Sequence, residues 1–452
     1  MIPRQDLYYW LDNPTKRGSE RISNKKVTFF VAFLILLLVS AFATNVNAQQ
    51  SAVDWSPTLH HDLARTGYST SKAPLTNQTL WSHATGNSIE YSSPAVVDGV
   101  VYVGSHDHNV YALNAETGFK IWSYRTGNSV ESSASVVNGL VYIGSIDHNI
   151  YALDSVAGNK IWSYPTGNAI YSCPAVVNGV VYFGSGDHNV YALNAQTGNK
   201  VWSYQTSNFV YSSPAVVKGV VYIDSYDTFY ALNAANGNKI WSFQPSVLSS
   251  NLYSTPSVAD GVVYFGSGDH NVYALDAQTG NKIWNYTTGG AVESSAAVAN
   301  GVVYIGSNDH SVYALNATSG GKLWSFRTGN SVNSCPVIVS GMVYVGSTDD
   351  SVYALNGETG GKIWSYVTGS EVESFPSAAN GVVYVGSGDN NVYAFGSITV
   401  PQPSPSLPLW LNSPSSNLIP SPSIPEFYSW IILPLLVVVL GLVFATVKRN
   451  RR

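Results

Sequence analysis

One segment recurs through most of the chain and constrains the fold more than any other feature. Its first copy is Gly99 to Trp122, which reads GVVYVGSHDHNVYALNAETGFKIW, and later copies keep the Gly-x-Val-Tyr and Tyr-Ala-Leu units. A tryptophan closes each copy, at intervals of 39 to 43 residues: Trp81, Trp122, Trp162, Trp202, Trp241, Trp284, Trp324 and Trp364. Self-similarity at a period near 40 residues indicates a solenoid, a propeller or an array.

Each repeat predicts four short antiparallel strands. Apolar and polar residues alternate with period two, and Asp98-Gly99 is a strong signal for a two-residue hairpin. In the first copy the predicted strands cover 94–97, 100–103, 110–113 and 120–124. Four strands per repeat are typical of a propeller blade, with strands A to D running from the axis to the rim.

The order of the repeats predicts a closed ring. The first Trp strand, 79–83, precedes any A-B-C set, and the last A-B-C set, 374–395, has no Trp strand after it. If the strand at 79–83 is the fourth strand of the sheet formed by 374–395, the ring has no free sheet edge. We therefore predict an all-β fold, an eight-bladed β-propeller of four-stranded antiparallel blades, closed by the N-terminal strand and flanked by N- and C-terminal hydrophobic helices. We expect a monomer.

The segment Ala112–Trp122 resembles the tryptophan-docking motif of quinoprotein, or PQQ-type, propellers. In that family the Trp packs between neighbouring blades, a structural role that we expect for all eight. The resemblance covers about 79–396. It implies the fold rather than a function, because the family includes quinone-dependent dehydrogenases and non-catalytic outer-membrane assembly lipoproteins.

The charge of the repeat region argues against nucleic-acid binding, and the positions of the two cysteines argue against a disulfide. Between Trp55 and Ser397 there are 12 Lys and Arg against 22 Asp and Glu, so no basic surface is left for nucleic acid. Cys173 and Cys335 occupy the same position in blades three and seven, on opposite sides of the ring. A disulfide needs Cα atoms within about 7 Å, so we predict two unpaired thiols in place of a serine found elsewhere.

The flanking segments predict export and anchoring. Residues 1–48 are a signal peptide cleaved after Ala48 or, alternatively, an uncleaved membrane anchor. A lead-in segment at 49–78 precedes the propeller at 79–396, a Pro/Ser-rich stalk at 397–426 and a transmembrane helix or sorting signal at 427–447. The basic tail at 448–452 is cytoplasmic. We expect the protein on the outer face of the cell membrane, which it contacts through the C-terminal segment; 425–452 also resembles PEF-type sorting signals of archaeal surface proteins.

Two other segments allow more than one interpretation. His60, His61 and Asp62 could indicate a metal site, but a segment packed on the ring with a capping Asp is favoured. In blade four, Asp224 replaces a Gly and the loop at 244–252 is three residues longer than its counterparts, which indicates either a binding loop or drift. Three triplets fit the glycosylation pattern: Asn77, Asn285 and Asn316.

Topology places the D–A and B–C loops on one face and the A–B and C–D turns on the other. Both ends of the ring leave from the A–B/C–D face, so we predict that the D–A/B–C face is free for an unknown protein or glycan partner. The B–C turns carry an Asp in every blade, followed in five blades by His. Turn hydrogen bonds explain these Asp better than a metal does. They are Asp107, Asp147, Asp187, Asp227, Asp269, Asp309, Asp349 and Asp389.

A second ring of residues opens each A strand at the axis, and only here do the copies differ in chemical character. Tyrosines and carboxylates around a funnel suit sugars, peptides or cations; the alternative is a hydrated channel mouth without a ligand. This low-symmetry ring is the predicted binding site: Tyr91, Glu131, Tyr171, Tyr211, Tyr253, Glu293, Asn333 and Glu373.

We predict a scaffold rather than an enzyme. The quinoprotein resemblance implies, for a dehydrogenase, a vicinal Cys pair, Ca²⁺ held by Glu and Asn, and an Asp base. The sequence has no adjacent Cys pair, and its acids recur by symmetry. No cofactor or metal is therefore expected. PQQ with Ca²⁺ belongs to the alternative of a quinoprotein oxidoreductase, and a carbohydrate-binding envelope protein is the second alternative.

Overall fold

Eight sheets, each built on four antiparallel strands, form the computed structural model of the protein, which describes residues 56–245 and 254–396; one of them has a fifth, parallel strand. This confirms the predicted all-β, eight-bladed propeller. No helix occurs within these residues, and so none is long and apolar enough to cross a membrane. The predicted segments at 1–48 and 397–452 lie outside the described residues, as do the first residues of the lead-in.

The strands follow the repeat closely. Two precede the first full blade: β1 (Tyr68–Ser69) and β2 (Thr79–Ala84). Blade 1 contains β3 (Ala95–Val97), β4 (Val100–Gly104), β5 (Asn109–Asn114) and β6 (Lys120–Arg125). Blade 2 contains β7 (Ser135–Val137), β8 (Leu140–Gly144), β9 (Asn149–Asp154) and β10 (Lys160–Pro165). Blade 3 contains β11 (Ala175–Val177), β12 (Val180–Ser185), β13 (Asn189–Asn194) and β14 (Lys200–Gln205). Blade 4 contains β15 (Ala215–Val217), β16 (Val220–Ser225), β17 (Thr228–Asn233) and β18 (Lys239–Phe243).

The second half repeats this plan. Blade 5 contains β19 (Ser257–Ala259), β20 (Val262–Gly266), β21 (Asn271–Asp276) and β22 (Lys282–Thr287). Blade 6 contains β23 (Ala297–Ala299), β24 (Val302–Ser307), β25 (Ser311–Asn316) and β26 (Lys322–Arg327). Blade 7 contains β27 (Val337–Val339), β28 (Met342–Ser347), β29 (Ser351–Asn356) and β30 (Lys362–Val367). Blade 8 contains β31 (Ser377–Ala379), β32 (Val382–Gly386) and β33 (Asn391–Gly396), and its fourth strand is β2.

Local turn chemistry fixes the innermost hairpin of each blade. Asp98 and Gly99 have φ values of 50° and 75°, so both central residues of the A–B turn are left-handed. This is the two-residue turn whose twist matches antiparallel strands, and Asp-Gly adopts it readily. The A strands stay short, at three residues each, because they crowd around the axis.

A bulge in each D strand turns the tryptophan toward the next blade. In blade 1, Trp122 pairs with Ala112 and Lys120 with Leu113, so Ile121 is left without a partner in the ladder and is half exposed. The Trp122 indole N–H donates to the carbonyl of Ser155 in the C–D turn of blade 2, at 3.0 Å. Gly158 lies against the same indole. Trp docking between blades, as expected from the repeat, therefore joins neighbouring sheets.

The first described D strand lies in the last blade. β2 pairs antiparallel with β33, with Trp81 opposite Ala394. Trp81 donates to the carbonyl of Ala115 in blade 1 at 2.9 Å, as other tryptophans do to their next blade. Because the D strand of blade 8 is β2 and not a strand that follows β33, no C–D turn joins the two strands and Trp364 has no such turn to contact. The lead-in supplies the substitute: the carbonyl of Pro74 accepts from Trp364 at 3.2 Å.

The described part of the lead-in crosses the axis of the ring. Its backbone carbonyls accept hydrogen bonds from the A strands of six blades; for example, Val96 donates to Ser56 and Val216 donates to Leu63. β1 adds a parallel pairing with β27. We call residues 57–67 the axial plug, since they close the A–B/C–D end of the channel.

A buried arginine holds the axial plug in place. Arg65 is fully buried, and its guanidinium donates to four carbonyl oxygens and one hydroxyl, without a carboxylate partner. The carbonyls of Cys173, Pro174 and Pro214 belong to blades 3 and 4, so one side chain ties the plug to two blades. Burial lowers the pKa of Arg65 to about 10, which leaves it charged at neutral pH.

Candidate functional site

A cavity of about 410 Å³ lies on the axis above the plug. Seven of the eight residues predicted to ring the funnel line it: Tyr91, Glu131, Tyr171, Tyr211, Glu293, Asn333 and Glu373. The eighth, Tyr253, lies outside the described residues. These side chains come together because each lies four residues before the start of an A strand, and the A strands surround the axis. The plug pairs with the middle of those strands, so the cavity opens only toward the D–A/B–C face.

The floor of the cavity was not anticipated from the sequence. It consists of Leu59 from the plug together with Cys173, Ser213, Thr255 and Phe375, each two residues after a ring position. The alignment of the 40-residue repeats that identified the ring also contains these four positions, so it could have predicted the part of the floor that the repeats supply. Nothing in the sequence indicates that Leu59 reaches the axis.

The floor residues also link the blades. Around the axis, a backbone N–H of one blade donates to the hydroxyl or thiol of the next: Ser93 to Ser133, Ser133 to Cys173 and Cys173 to Ser213. A thiol thus fills the acceptor position of a serine. Cys173 and Cys335 are free and buried, as predicted. In blade 8 the corresponding residue is Phe375, which has no such acceptor and packs edge-on against His60 at 5.5 Å.

One side of the mouth is acidic. Glu373 is only 8% exposed, and its Oε1 accepts from Asn333 Nδ2 at 2.7 Å. Burial raises the pKa of Glu373, which the Asn333 hydrogen bond partly offsets. Burial and the nearby Glu90 carboxylate raise the pKa of Glu131 to about 7. Its Oε1 lies 3.4 Å from His106 Nε2.

The opposite side of the mouth is aromatic. Tyr171 and Tyr211 meet edge to face, with ring centroids 4.8 Å apart. Phe209 stacks parallel to Tyr211 at 5.5 Å and in turn receives His188 edge-on at 4.8 Å. Tyr91, which is 49% exposed, lies on the acidic side, where burial and the nearby Glu373 carboxylate raise its pKa. The funnel therefore departs from eightfold symmetry, unlike the sheets that carry it.

In seven of the eight blades the Asp of the B–C turn serves as a structural clamp that accepts from a C-strand tyrosine, whereas in blade 4 Asp227 accepts from the Ser207 hydroxyl. Asp107 Oδ1 accepts from the backbone N–H of Asn109, and its Oδ2 accepts from Tyr111 and from Gly86 of the preceding D–A loop. Burial raises the pKa of Asp107, but these hydrogen bonds outweigh burial and hold it below its ordinary value. The following His108 has a φ of 74°, a left-handed conformation that His and Asn tolerate better than most residues. No cluster of potential metal ligands occurs among the described residues.

The lead-in acids and histidines have packing roles. Asp62 accepts hydrogen bonds from the backbone N–H and the hydroxyl of Thr66, which matches a capping role. His60 is 6% exposed, its Nδ1 hydrogen bonds to the carbonyl of Arg65, and burial lowers its pKa to about 4. In blade 4, Asp224 is fully buried, and burial raises its pKa far above the ordinary value.

The three glycosylation triplets differ in exposure. Asn77 and Asn285 are exposed on the ring, as modification requires. Asn316 is partly buried, and its Oδ1 accepts from the backbone N–H groups of Thr318 and Ser319 within its own turn. Glycosylation at these positions stays a prediction.

Comparisons with known proteins identify relatives of this architecture. The family model described as outer membrane protein assembly factor BamB matches residues 70–171, 166–307 and 287–399. Among curated proteins, the beta-alanine-activating enzyme of Danio rerio is 31% identical over 103 residues, 22% of this chain. That match spans only 9% of the relative's length.

Solved structures share the fold at low sequence identity. BamB from Moraxella catarrhalis is 19% identical with a TM-score of 0.63, over 71% of this chain and 99% of that one. A europium-containing methanol dehydrogenase is 16% identical with a TM-score of 0.67, over 78% of this chain and 99% of that one. An assembly factor and a dehydrogenase thus have the same fold, so the fold alone does not determine the function.

Proposed function

Because the chain belongs to the family of the outer membrane protein assembly factor BamB, we propose that it is a non-enzymatic propeller that binds a partner protein on its D–A/B–C face. One observation carries this proposal: the axial funnel opens on that face and is closed on the other by the plug. The funnel is also where the eight blades differ most in chemistry, and recognition of one partner requires such differences.

The ends of the ring support a tether on the opposite side. Gly396 N–H donates to the carbonyl of Gln78 at 3.1 Å, so the ring begins and ends at one place on the A–B/C–D side. We propose that 397–426 is a stalk and 427–447 an anchor or a PEF-type sorting signal at an archaeal cell surface, after export directed by 1–48. A tether there leaves the funnel accessible to a partner.

The funnel does not fit the cofactor of a quinoprotein dehydrogenase. PQQ is a tricarboxylate, whereas the described residues that line the cavity include three Glu and no Lys or Arg. Cys173 has no cysteine beside it in the sequence to form the vicinal pair of those enzymes. These features support a scaffold over an oxidoreductase, and we derive no redox step.

A photo-cross-linking experiment tests the proposal with a matched pair of positions in blade 1. Tyr91 lies at the funnel mouth and Phe119 in a C–D turn, and both are exposed aromatics that p-benzoylphenylalanine can replace conservatively. In intact cells that express the full chain, we expect discrete protein adducts from position 91 and none from 119. Adducts from 119 alone, or equal adducts from both, would refute the assignment of the face. Stoichiometric retention of PQQ and Ca²⁺ by the purified protein would refute the non-enzymatic role.

A further inference from the structure

The two faces of the ring carry opposite charge. The D–A and B–C loops, with the strand ends beside them, hold fourteen carboxylates and two arginines. Beyond the eight Asp of the B–C turns, the acids are Asp350, Glu90, Glu131, Glu293, Glu371 and Glu373, and the bases are Arg125 and Arg327. On the A–B/C–D face, eight lysines accompany six acids. The lysines are Lys120, Lys160, Lys200, Lys218, Lys239, Lys282, Lys322 and Lys362, and the acids are Asp98, Glu116, Asp154, Asp260, Asp276 and Glu358.

Carboxylates inside the funnel have no cation to pair with among the described lining residues. Arg65 lies beneath the floor, but its donors are used by carbonyls and a hydroxyl. Low-dielectric walls concentrate the field of a like-charged cleft and attract counter-ions. Arg125 and Arg327 offset only two of the fourteen carboxylates on this face.

Two further features of the cavity favour a donor-rich, cationic occupant. Asn333 Oδ1 is buried at the cavity and accepts no hydrogen bond from any described residue. An unsatisfied buried acceptor is costly, so a ligand N–H that reaches it gains more than at the surface. The tyrosine pair Tyr171 and Tyr211 offers ring faces and edges opposite the carboxylates, and aromatic faces attract ammonium and guanidinium groups.

We propose that the funnel takes up a lysine- or arginine-rich segment of the partner protein, with at least one cationic side chain inserted between Glu373 and the tyrosine pair. This inference rests on the proposed function and specifies the chemistry of the partner. A cation there meets carboxylates, an amide acceptor and aromatic rings, and the cavity of about 410 Å³ has room for a long side chain with part of its backbone.

Neutral sugars fit these observations less well. Sugar hydroxyls can use tyrosines and carboxylates, but they leave the net negative charge of this face uncompensated. Anionic partners are disfavoured by the same charge. A basic protein segment compensates the negative charge of the whole face and also supplies hydrogen-bond donors to the groups in the cavity.

Binding of fluorescein-labelled oligolysine to the full chain in detergent tests the inference by fluorescence anisotropy. The funnel variant combines Glu131→Gln, Glu293→Gln and Glu373→Gln. Its matched control removes the same number of carboxylates from the other face, with Glu116→Gln, Asp154→Asn and Glu358→Gln. At low salt, where the screening length exceeds about 10 Å, we expect the funnel variant to bind at least about tenfold more weakly, and the control to stay within about twofold.

The aromatic side is tested separately by Tyr211→Leu, which we expect to weaken oligolysine binding by about threefold or more. Equal weakening in the funnel and control variants would reduce the effect to net charge and overturn the inference. So would absence of oligolysine binding, or binding of a neutral oligosaccharide that the three Gln substitutions leave unchanged. Adducts confined to Tyr91 in the cross-linking experiment would still support the proposed function in these cases, so the two failures can be told apart.

Discussion

Substituting Gly118 by alanine tests how closely a tryptophan packs against the neighbouring blade. The substitution has two costs, which are backbone strain at a left-handed position and a collision with the indole of Trp81. Gly118 has a φ of 72°, and a Cβ there would lie 2.6 Å from Trp81 Cε3. Gly99 has a φ of 75°, yet nothing lies within 4 Å of its Cβ position. Gly99→Ala is therefore a matched control that carries the backbone strain without the collision.

The magnitudes follow from these geometries. A left-handed conformation costs a non-glycine residue about 1–2 kcal/mol, and overpacking a well-filled contact adds about 1–3 kcal/mol. We expect Gly99→Ala to lower the free energy of unfolding by about 1–2 kcal/mol, and Gly118→Ala by about 2–5 kcal/mol. The indole is rigid and held by its hydrogen bond to Ala115, so it cannot move aside cheaply.

Urea unfolding of the full chain, followed by tryptophan fluorescence, measures both values, and Trp81→Leu completes a double-mutant cycle. Without the indole, Gly118→Ala should cost no more than Gly99→Ala. If the two glycine substitutions cost the same in the native background, or the cycle shows no coupling, the reasoning about inter-blade docking is wrong.

Substitutions at three buried positions test the interior. Burial raises the pKa of Asp224, so ionisation of this carboxyl destabilises the native state of the protein at pH values above the ordinary pKa of 3.8. Urea titrations should therefore show that Asp224→Asn raises the free energy of unfolding more at pH 7 than at pH 4. An equal gain at both pH values would contradict this. Arg65→Met removes five hydrogen bonds to buried acceptors, of which only the Thr58 hydroxyl and the Pro174 carbonyl have another partner among the described residues, Ser135. It should lower the free energy of unfolding by about 3–5 kcal/mol and make the lead-in sensitive to limited proteolysis, whereas native-like resistance would remove its anchoring role. Cys173→Ser should change the free energy of unfolding by less than about 1 kcal/mol, whereas Cys173→Val should lower it by about 1–3 kcal/mol. The reason is that only valine leaves the N–H of Ser133 without an acceptor. Equal effects would count against the hydrogen bonds that link the blades around the axis.

Repetition made the fold and most of the candidate site predictable from the sequence. The alternation of apolar residues and the Asp98-Gly99 turn are local signals, and eight copies reduce the ambiguity that one copy would have. The same alignment placed Tyr91 and its equivalents at the axis, since residues at one repeat position share one radius in a ring. Seven of the eight predicted positions line the cavity.

Features outside the repeat could not be predicted in this way. Arg65 contacts carbonyls 108 to 149 residues away, and no periodic pattern marks a segment that occurs once. The same holds for Pro74, which receives Trp364 from 290 residues away. The two-sided character of the funnel depends on which tyrosines and carboxylates become neighbours, and only the assembled ring shows that Tyr171 meets Tyr211.

The lead-in connects the construction of the ring with the surface that remains for recognition. Since β2 is the D strand of blade 8, no C–D turn joins it to β33. The carbonyl of Pro74 therefore accepts the hydrogen bond from Trp364, as the C–D turn carbonyl of Ala115 does from Trp81. The chain that reaches Pro74 comes from the axis, where it has already closed one end of the channel. Joining the blades and closing the channel are thus done by the same short segment. The funnel opens on the D–A/B–C face, so the basic partner that we propose would approach the face opposite the two ends of the ring.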